Sequence, residues 1–479
     1  MRIYSLAKQN HELQPVEIEI SLMPGLPKIH FLGQPDSLIK ESELRIRSAI
    51  RHQGYDLPKA KQILIHLKPN HIKKTSRGLD LAIALAILWK TEQLEFSEDI
   101  RSEGKVLIYG ELSLAGKVMM PKDLDEFSFS KSSVLITGKS HEYRESSYYA
   151  LETLGAFQEL EFCCVDKTEN EFKRPRLNQN LVFNKETAEL LSVAALGEHS
   201  LMLAGPAGVG KTTLAESIHQ LLRDPDKDDF LTSKKIARMT GKDLSWRPFV
   251  SPHHSTTPLS MIGGGRPIFP GEITRAHAGV LLLDEYLEFQ AKVQEALREP
   301  MEKGEIHISR FGEYRKFPAD FMLLATTNLC PCGDLVPGER SNCQRSLTRC
   351  RVTIERMSGP VLDRFEILAL MKDWKKDGTV RLEDIYKNLE KIRSFVKTSR
   401  ETVLNSKMLE EDIVKSCDGF VKNVVLNELE GSRRRGKSLL SVARSFADLD
   451  QSELIKPCHI EKSMQLTVTP FGQIKKIFG

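Results

Sequence analysis

The stretch GPAGVGKTT, residues 205–213, follows the apolar run SLMLA and precedes apolar residues at helical spacing, Leu214, Ile218 and Leu221. It fits G-x-x-x-x-G-K-[ST], a strand-to-helix turn whose glycines let backbone N–H groups wrap phosphates at a helix N-terminus. In that pattern Gly205, Pro206, Ala207, Gly208, Val209 and Gly210 form the cradle and Thr213 begins the helix behind it. Lys211 reaches the β- and γ-phosphates, and the Thr212 hydroxyl ligates Mg2+. These residues predict an ATP site in an α/β domain.

Two more runs resemble SLMLA. GVLLLDE (279–285) and FMLLATTN (321–328) are short and continuously apolar, as strands buried on both faces are. With helical segments between them, they predict a parallel sheet with crossover helices over residues 181–372. GVLLLDE ends in two carboxylates, and an ATPase needs one acid to hold Mg2+ and another to polarise the attacking water. Asp284 and Glu285 are the candidates, in that order. Asn328 ends its strand where a polar side chain can orient the water against the γ-phosphate. Alone it reads as a turn former; the order P-loop, DE, Asn favours the catalytic role.

The chain of 479 residues allows about three domains. With 40% apolar and 28% charged residues it is ordinary globular material, neither collagenous nor disordered. Residues 1–165 mix period-two runs, VEIEI (16–20) and QILIHL (62–67), with a helical pattern over 36–52 that carries Ile39, Ile46 and Ile50. They predict a compact α+β domain. Residues 166–180 read as a linker, and residues 373–479 as an all-helical lid or C-terminal domain. The longest apolar run, LDLAIALAILW (79–89), is too short to cross about 30 Å of hydrocarbon. No charged-then-apolar leader opens the chain, so a cytoplasmic location without membrane contact is expected. The net charge of +4 selects no partner, because a basic stripe can hide in a near-neutral total.

Eight cysteines in so long a chain argue against a disulfide framework. Cys330, Cys332, Cys343 and Cys350 cluster after Asn328, and four thiolates would satisfy tetrahedral zinc. Their C-x-C start and uneven gaps depart from the paired C-x2-C of a zinc ribbon, so free thiols remain the competing reading.

The nucleotide motifs together with SGPVLDRFEI (358–367) resemble the AAA+ ATPases. RPFVSPHH (247–254), GGGRPIFPGEITRAHAGVLLLDE (263–285) and CPCG (330–333) are similar to the magnesium-chelatase-like clade. GLPKIHFLGQPDSLIKESELRIRSAI (25–50) resembles the ComM (YifB) family, bacterial ring ATPases associated with branch migration of DNA in recombination and natural transformation. The resemblance covers nearly the whole chain. It implies a ring, most simply a hexamer, in which Arg364 is the finger reaching a neighbouring subunit's ATP. It also implies that Arg444 is a lid arginine sensing the nucleotide. Leu439, Val442, Phe446 and Leu449 form an apolar stripe about 180° from Arg444, which predicts an outward-facing side chain.

The same resemblance implies a Lon-protease-like fold, of the ribosomal S5 domain 2 type, for residues 1–165. Ser76 lies near where Lon carries its nucleophile, but Asp125 aligns with the Lon lysine and Lys122 lies only nearby. An acid cannot serve as the neutral amine base, so a docking or DNA-guiding module is expected there, with Ser76 as a helix cap.

GEIHISRFGEYRKFPADF (304–321) predicts a hairpin whose tip carries Arg310, Phe311, Tyr314, Arg315 and Lys316. Cations beside aromatic rings suit phosphate contact with base stacking; a solvated hairpin is the plainer alternative. Arg247, Phe249, His253, His254 and the run SRRRGK (432–437) are further candidates. Three functions follow: a motor on branched or single-stranded DNA, a chelatase-like or chaperone-type remodelling ATPase, and a protease. The last is opposed by the missing lysine.

Overall fold

The computed structural model describes residues 2–9, 12–32, 37–69, 78–102, 105–126, 134–140, 146–164, 172–266, 268–310, 313–330, 356–357, 359–371, 378–400, 404–419, 421 and 433–478. The chain divides into two compact units, Met1–Glu171 and Phe172–Gly479.

The first unit is built on an eight-stranded mixed sheet. Its order is Glu161–Cys163, Tyr148–Ala150, Val134–Thr137, Lys105–Ile108, Arg2–Gln9, Glu12–Pro24, Lys61–Lys68 and Ile29–Leu32. Period-two burial makes Lys61–Lys68 a strand, with Ile63, Ile65 and Leu67 facing inward. Helix Leu79–Lys90 is buried over nearly its whole circumference and fills the core beside helix Ser37–His52, which contributes Ile46 and Ile50. The longest apolar run is therefore a core helix. Among the described residues no helix is long and apolar enough to cross a membrane. Ser76 and the Asp125 side chain lie outside the described residues.

The second unit has a five-stranded parallel sheet in the order Phe249–Val250, Val280–Leu283, Met322–Thr327, Leu201–Ala204, Ile367–Leu370. Successive side chains feed opposite faces. Leu201, Leu203, Val280 and Leu282 enter a core with helices Lys185–Gly197, Lys211–Leu221 and Leu382–Ser399, while Met202, Ala204, Leu281 and Leu283 enter the other core. That double burial is why these strands read as uninterrupted apolar runs.

Residues 172–180, expected to be part of a linker, are instead docked on this unit. Phe172 meets Phe230 edge-on at 5.0 Å, and the Arg174 guanidinium lies 4.7 Å from the Trp246 ring and 4.8 Å from that of Tyr386. A cation held between two aromatic faces does not read as order in a polar stretch, which explains the difference.

The described part of residues 382–478 is largely helical, and helix Arg433–Leu449 is not amphipathic in the expected sense. Val442 and Phe446 pack into the sheet's core, and Leu440, Ala443 and Ala447 into a second cluster with Met408, Ile413 and Ile455. Covered on both sides from Leu440 to Asp448, the helix has no outer face over that stretch, so Arg444 is buried at 2% exposure.

Candidate ATP site

Register assembles the site. Parallel pairing sets Ala204 beside Thr327 and Leu283 beside Ala325. The residues that follow these pairs therefore emerge together at the sheet's C-terminal edge: Gly205 beside Asn328, and Asp284 beside Thr326. Gly208 and Gly210 take φ of +77° and +86°, a region open to glycine, and turn the chain into helix Lys211–Leu221.

Lys211 Nζ donates to the carbonyls of Gly205 at 3.0 Å and Pro206 at 2.7 Å, and to Asn328 Oδ1 at 2.9 Å. Burial pushes the Lys211 pKa down, and the Asp284 and Glu285 carboxylates oppose that shift. Thr212 Oγ1 lies 3.3 Å from both Asp284 carboxylate oxygens. Asp284 also accepts from the Thr326 hydroxyl, which in turn accepts the Glu285 backbone N–H at 3.1 Å. Glu285 adopts a left-handed backbone at φ 57° and ψ 50°, and its side chain is 53% exposed. His254 Nδ1 lies 3.7 Å from Glu285 Oε2, with the His253 ring 4.0 Å from that of His254.

These residues fit a nucleoside triphosphate with its magnesium ion. The hydroxyl and carboxylate at 3.3 Å are hard oxygen ligands suited to Mg2+. Gly208 has no heavy atom within 4 Å of where a Cβ would stand, which leaves the cradle open. Thr326 and His254 join the site from outside the nucleotide motifs. For Thr326 the available signal was a pair of threonines ending an otherwise apolar strand.

Arg364 lies elsewhere. Its carbonyl accepts from Ser200 Oγ at 3.1 Å, at the start of the P-loop strand, and it precedes strand Ile367–Leu370, which is parallel to that strand. The four residues of Leu201–Ala204 separate it from Gly205 by about 13 Å of strand.

Arg444 was expected to face outward, and the structure corrects this. Its guanidinium pairs with Asp448 and donates to the carbonyls of Ser452 and Glu453, all within the C-terminal helical region. Arg247 is likewise internal, paired with Glu198 at 2.9 Å, rather than a free surface cation.

The hairpin forms as expected, Glu305–Arg310 against Glu313–Pro318, with Ile306, Ile308 and Phe317 turned inward. Arg310 and Lys316 are exposed, Tyr314 is 64% exposed, and Lys316 is ion-paired with Glu305. Phe311 lies outside the described residues. So do Cys332, Cys343 and Cys350; Cys330 is buried, and among the described residues no three His, Cys, Asp or Glu side chains group to hold a metal ion.

Residues 179–378 match the magnesium chelatase subunit ChlI family, and residues 16–128 match a second ChlI profile, that of the Mg-chelatase subunit. The chain is 33% identical over 481 residues to the uncharacterized protein YifB of Escherichia coli, spanning 94% of this chain and 93% of the relative. It is 29% identical over 497 residues to the competence protein ComM of Haemophilus influenzae, spanning 96% of each. An uncharacterized protein of Mycobacterium tuberculosis, Rv2897c, is 32% identical over 394 residues, 77% of this chain and 76% of its own length. With its P-loop, paired carboxylates and parallel sheet in this arrangement, the chain belongs to the ComM/YifB family of magnesium-chelatase-like AAA+ proteins.

Proposed function

We propose that this protein is a ring-forming ATPase that couples hydrolysis to movement on DNA, acting on branched junctions in recombination or natural transformation. The observation that carries the ring is the position of Arg364. At the far end of the P-loop strand it is unable to serve its own ATP site, and an arginine there suits the site of an adjoining copy. ATP with Mg2+ supplies the phosphoanhydride to be cleaved. Lys211 and the P-loop amides hold its phosphates, and Thr212 and Asp284 hold the ion. Glu285, solvent-facing at the edge, takes the proton of the attacking water, and Asn328 orients that water.

DNA as the track is supported by the competence role in the Haemophilus relative's name and by the exposed Arg310, Tyr314 and Lys316 of the hairpin. The N-terminal unit then serves as a docking or DNA-guiding module. The ChlI matches favour a second reading, a remodelling ATPase of metal-insertion or chaperone type. The deciding experiment is ATP-dependent migration of a synthetic four-way junction by the purified protein, with DNA-stimulated ATPase measured in parallel. ATP-active protein that neither binds DNA nor responds to it selects the remodelling reading.

A further inference from the structure

Arg364 is held in place within its own subunit. Its Nη2 donates to Glu295 Oε2 at 2.9 Å, and its side chain is only 7% exposed. Behind it stands Tyr286, fully buried, directly after Glu285 in sequence and edge-on to Phe365 at 5.4 Å. Burial pushes the Tyr286 hydroxyl up to about 12, and the Arg364 charge opposes that shift. Arg364 Nε is buried on this side.

Glu295 differs from these neighbours in being 63% exposed, so it reaches the guanidinium from the solvent side. A second cation stands beside it: Arg298 Nη1 is 3.7 Å from Glu295 Oε1, and Arg298 Nε is 3.7 Å from Glu302. Glu302 pairs in turn with Arg434 at the start of helix Arg433–Leu449. The alternating charges Arg364, Glu295, Arg298, Glu302 and Arg434 all line one cavity of about 560 Å³.

We propose that Glu295 is a latch that holds Arg364 in the free subunit, and that the ligand drawing it off is the triphosphate bound to a second copy of this chain. The proposal rests on the reading of Arg364 as a finger acting across the subunit boundary. Exchange of a carboxylate for a phosphate suits the guanidinium, which binds phosphate through two parallel donors. Release leaves little behind, because Glu295 is mostly hydrated and has Arg298 at hand. The latch thus makes engagement of the finger depend on a nucleotide-loaded neighbour.

The test is specific ATPase activity against protein concentration at saturating Mg-ATP. Glu295→Gln removes the charge at constant size from an exposed position. It is expected to lower the concentration of half-maximal activity about two- to fivefold, the range one partly exposed ion pair supports. Glu295→Asp, which keeps the charge, is expected to stay nearer the parental value. In an Arg364→Ala background, ATP-dependent assembly measured by sedimentation should no longer respond to Glu295→Gln, whereas a merely structural role would persist. An unchanged or higher half-maximal concentration in Glu295→Gln, with Arg364→Ala inactive, overturns the latch alone. Full activity of Arg364→Ala overturns the finger reading and the latch with it.

Discussion

Arg444 and Asp448, one turn apart on helix Arg433–Leu449, form an ion pair at 3.0 Å in which each side chain is only 2% exposed. Asp448 also accepts from Arg400 at 2.6 Å and from the Asn405 amide at 2.8 Å. Asn405 donates to Ser445 Oγ at 2.8 Å, which lies 2.7 Å from His199 Nε2. The other nitrogen of that ring lies 2.9 Å from Glu366 Oε2, two residues beyond Arg364. A continuous polar network therefore joins the C-terminal helices to the start of the strand that follows Arg364. Removing its central carboxylate should be costly.

Asp448→Ala leaves the Arg444 and Arg400 charges without their shared partner, and breaking a buried pair costs about 3–5 kcal/mol. The expected result is a lower urea midpoint for the ATPase unit. Arg444→Met should cost less, because Arg400 still neutralises Asp448. An Arg444→Met variant with parental stability and lost ATP binding would contradict the buried tie.

Lys211→Ala removes a charged donor from the phosphates and should weaken ATP binding by roughly tenfold or more. Glu285→Gln keeps the edge geometry, because the Glu285 backbone is anchored to Thr326, but removes the proton acceptor. It should bind ATP normally and turn it over about 10² to 10⁴ times more slowly. Titration with a fluorescent ATP analogue and a phosphate-release assay separate the two effects. Parental turnover in Glu285→Gln would remove that residue from its role.

Joint replacement of Arg315 and Lys316 by glutamine should weaken DNA binding and lower the slope of log affinity against log salt by about one to two. Basal ATPase should stay near the parental rate, since the hairpin is outside the nucleotide site. Binding isotherms at several salt concentrations measure this, and an unchanged slope would mean the hairpin makes no phosphate contact.

His219 is wedged between Trp246 and Phe249, with ring centroids 5.0 Å apart in each case, and its Nε2 donates to the Arg247 carbonyl at 3.0 Å. Burial lowers its pKa from 6.5 to about 4. The unfolded chain therefore binds the extra proton first, and stability falls as pH drops from about 6.5 towards 4, by about 3 kcal/mol in all. Chemical denaturation across that window should show the loss, and His219→Gln should flatten it. Equal pH dependence in the variant would assign the acid sensitivity to other groups.

Sequence alone marked the candidate nucleotide site and determined the parallel sheet. GPAGVGKTT carries its conformation in its glycines, and strands buried on both faces leave runs such as GVLLLDE and FMLLATTN that few other structures tolerate. The hairpin was legible for a different reason: with one face buried, Ile306, Ile308 and Phe317 alternate with polar neighbours. Tertiary structure decided the pairs that lie far apart in the chain. Thr326 meets Asp284 across 42 residues through sheet register, and Glu295, on helix Ala291–Ala296, meets Arg364, ahead of strand Ile367–Leu370, across 69. It also decided Arg444: periodicity reports one apolar stripe, but a helix enclosed on two sides buries the residues between its contacts, and the arginine survives there because Asp448 and two carbonyls satisfy it.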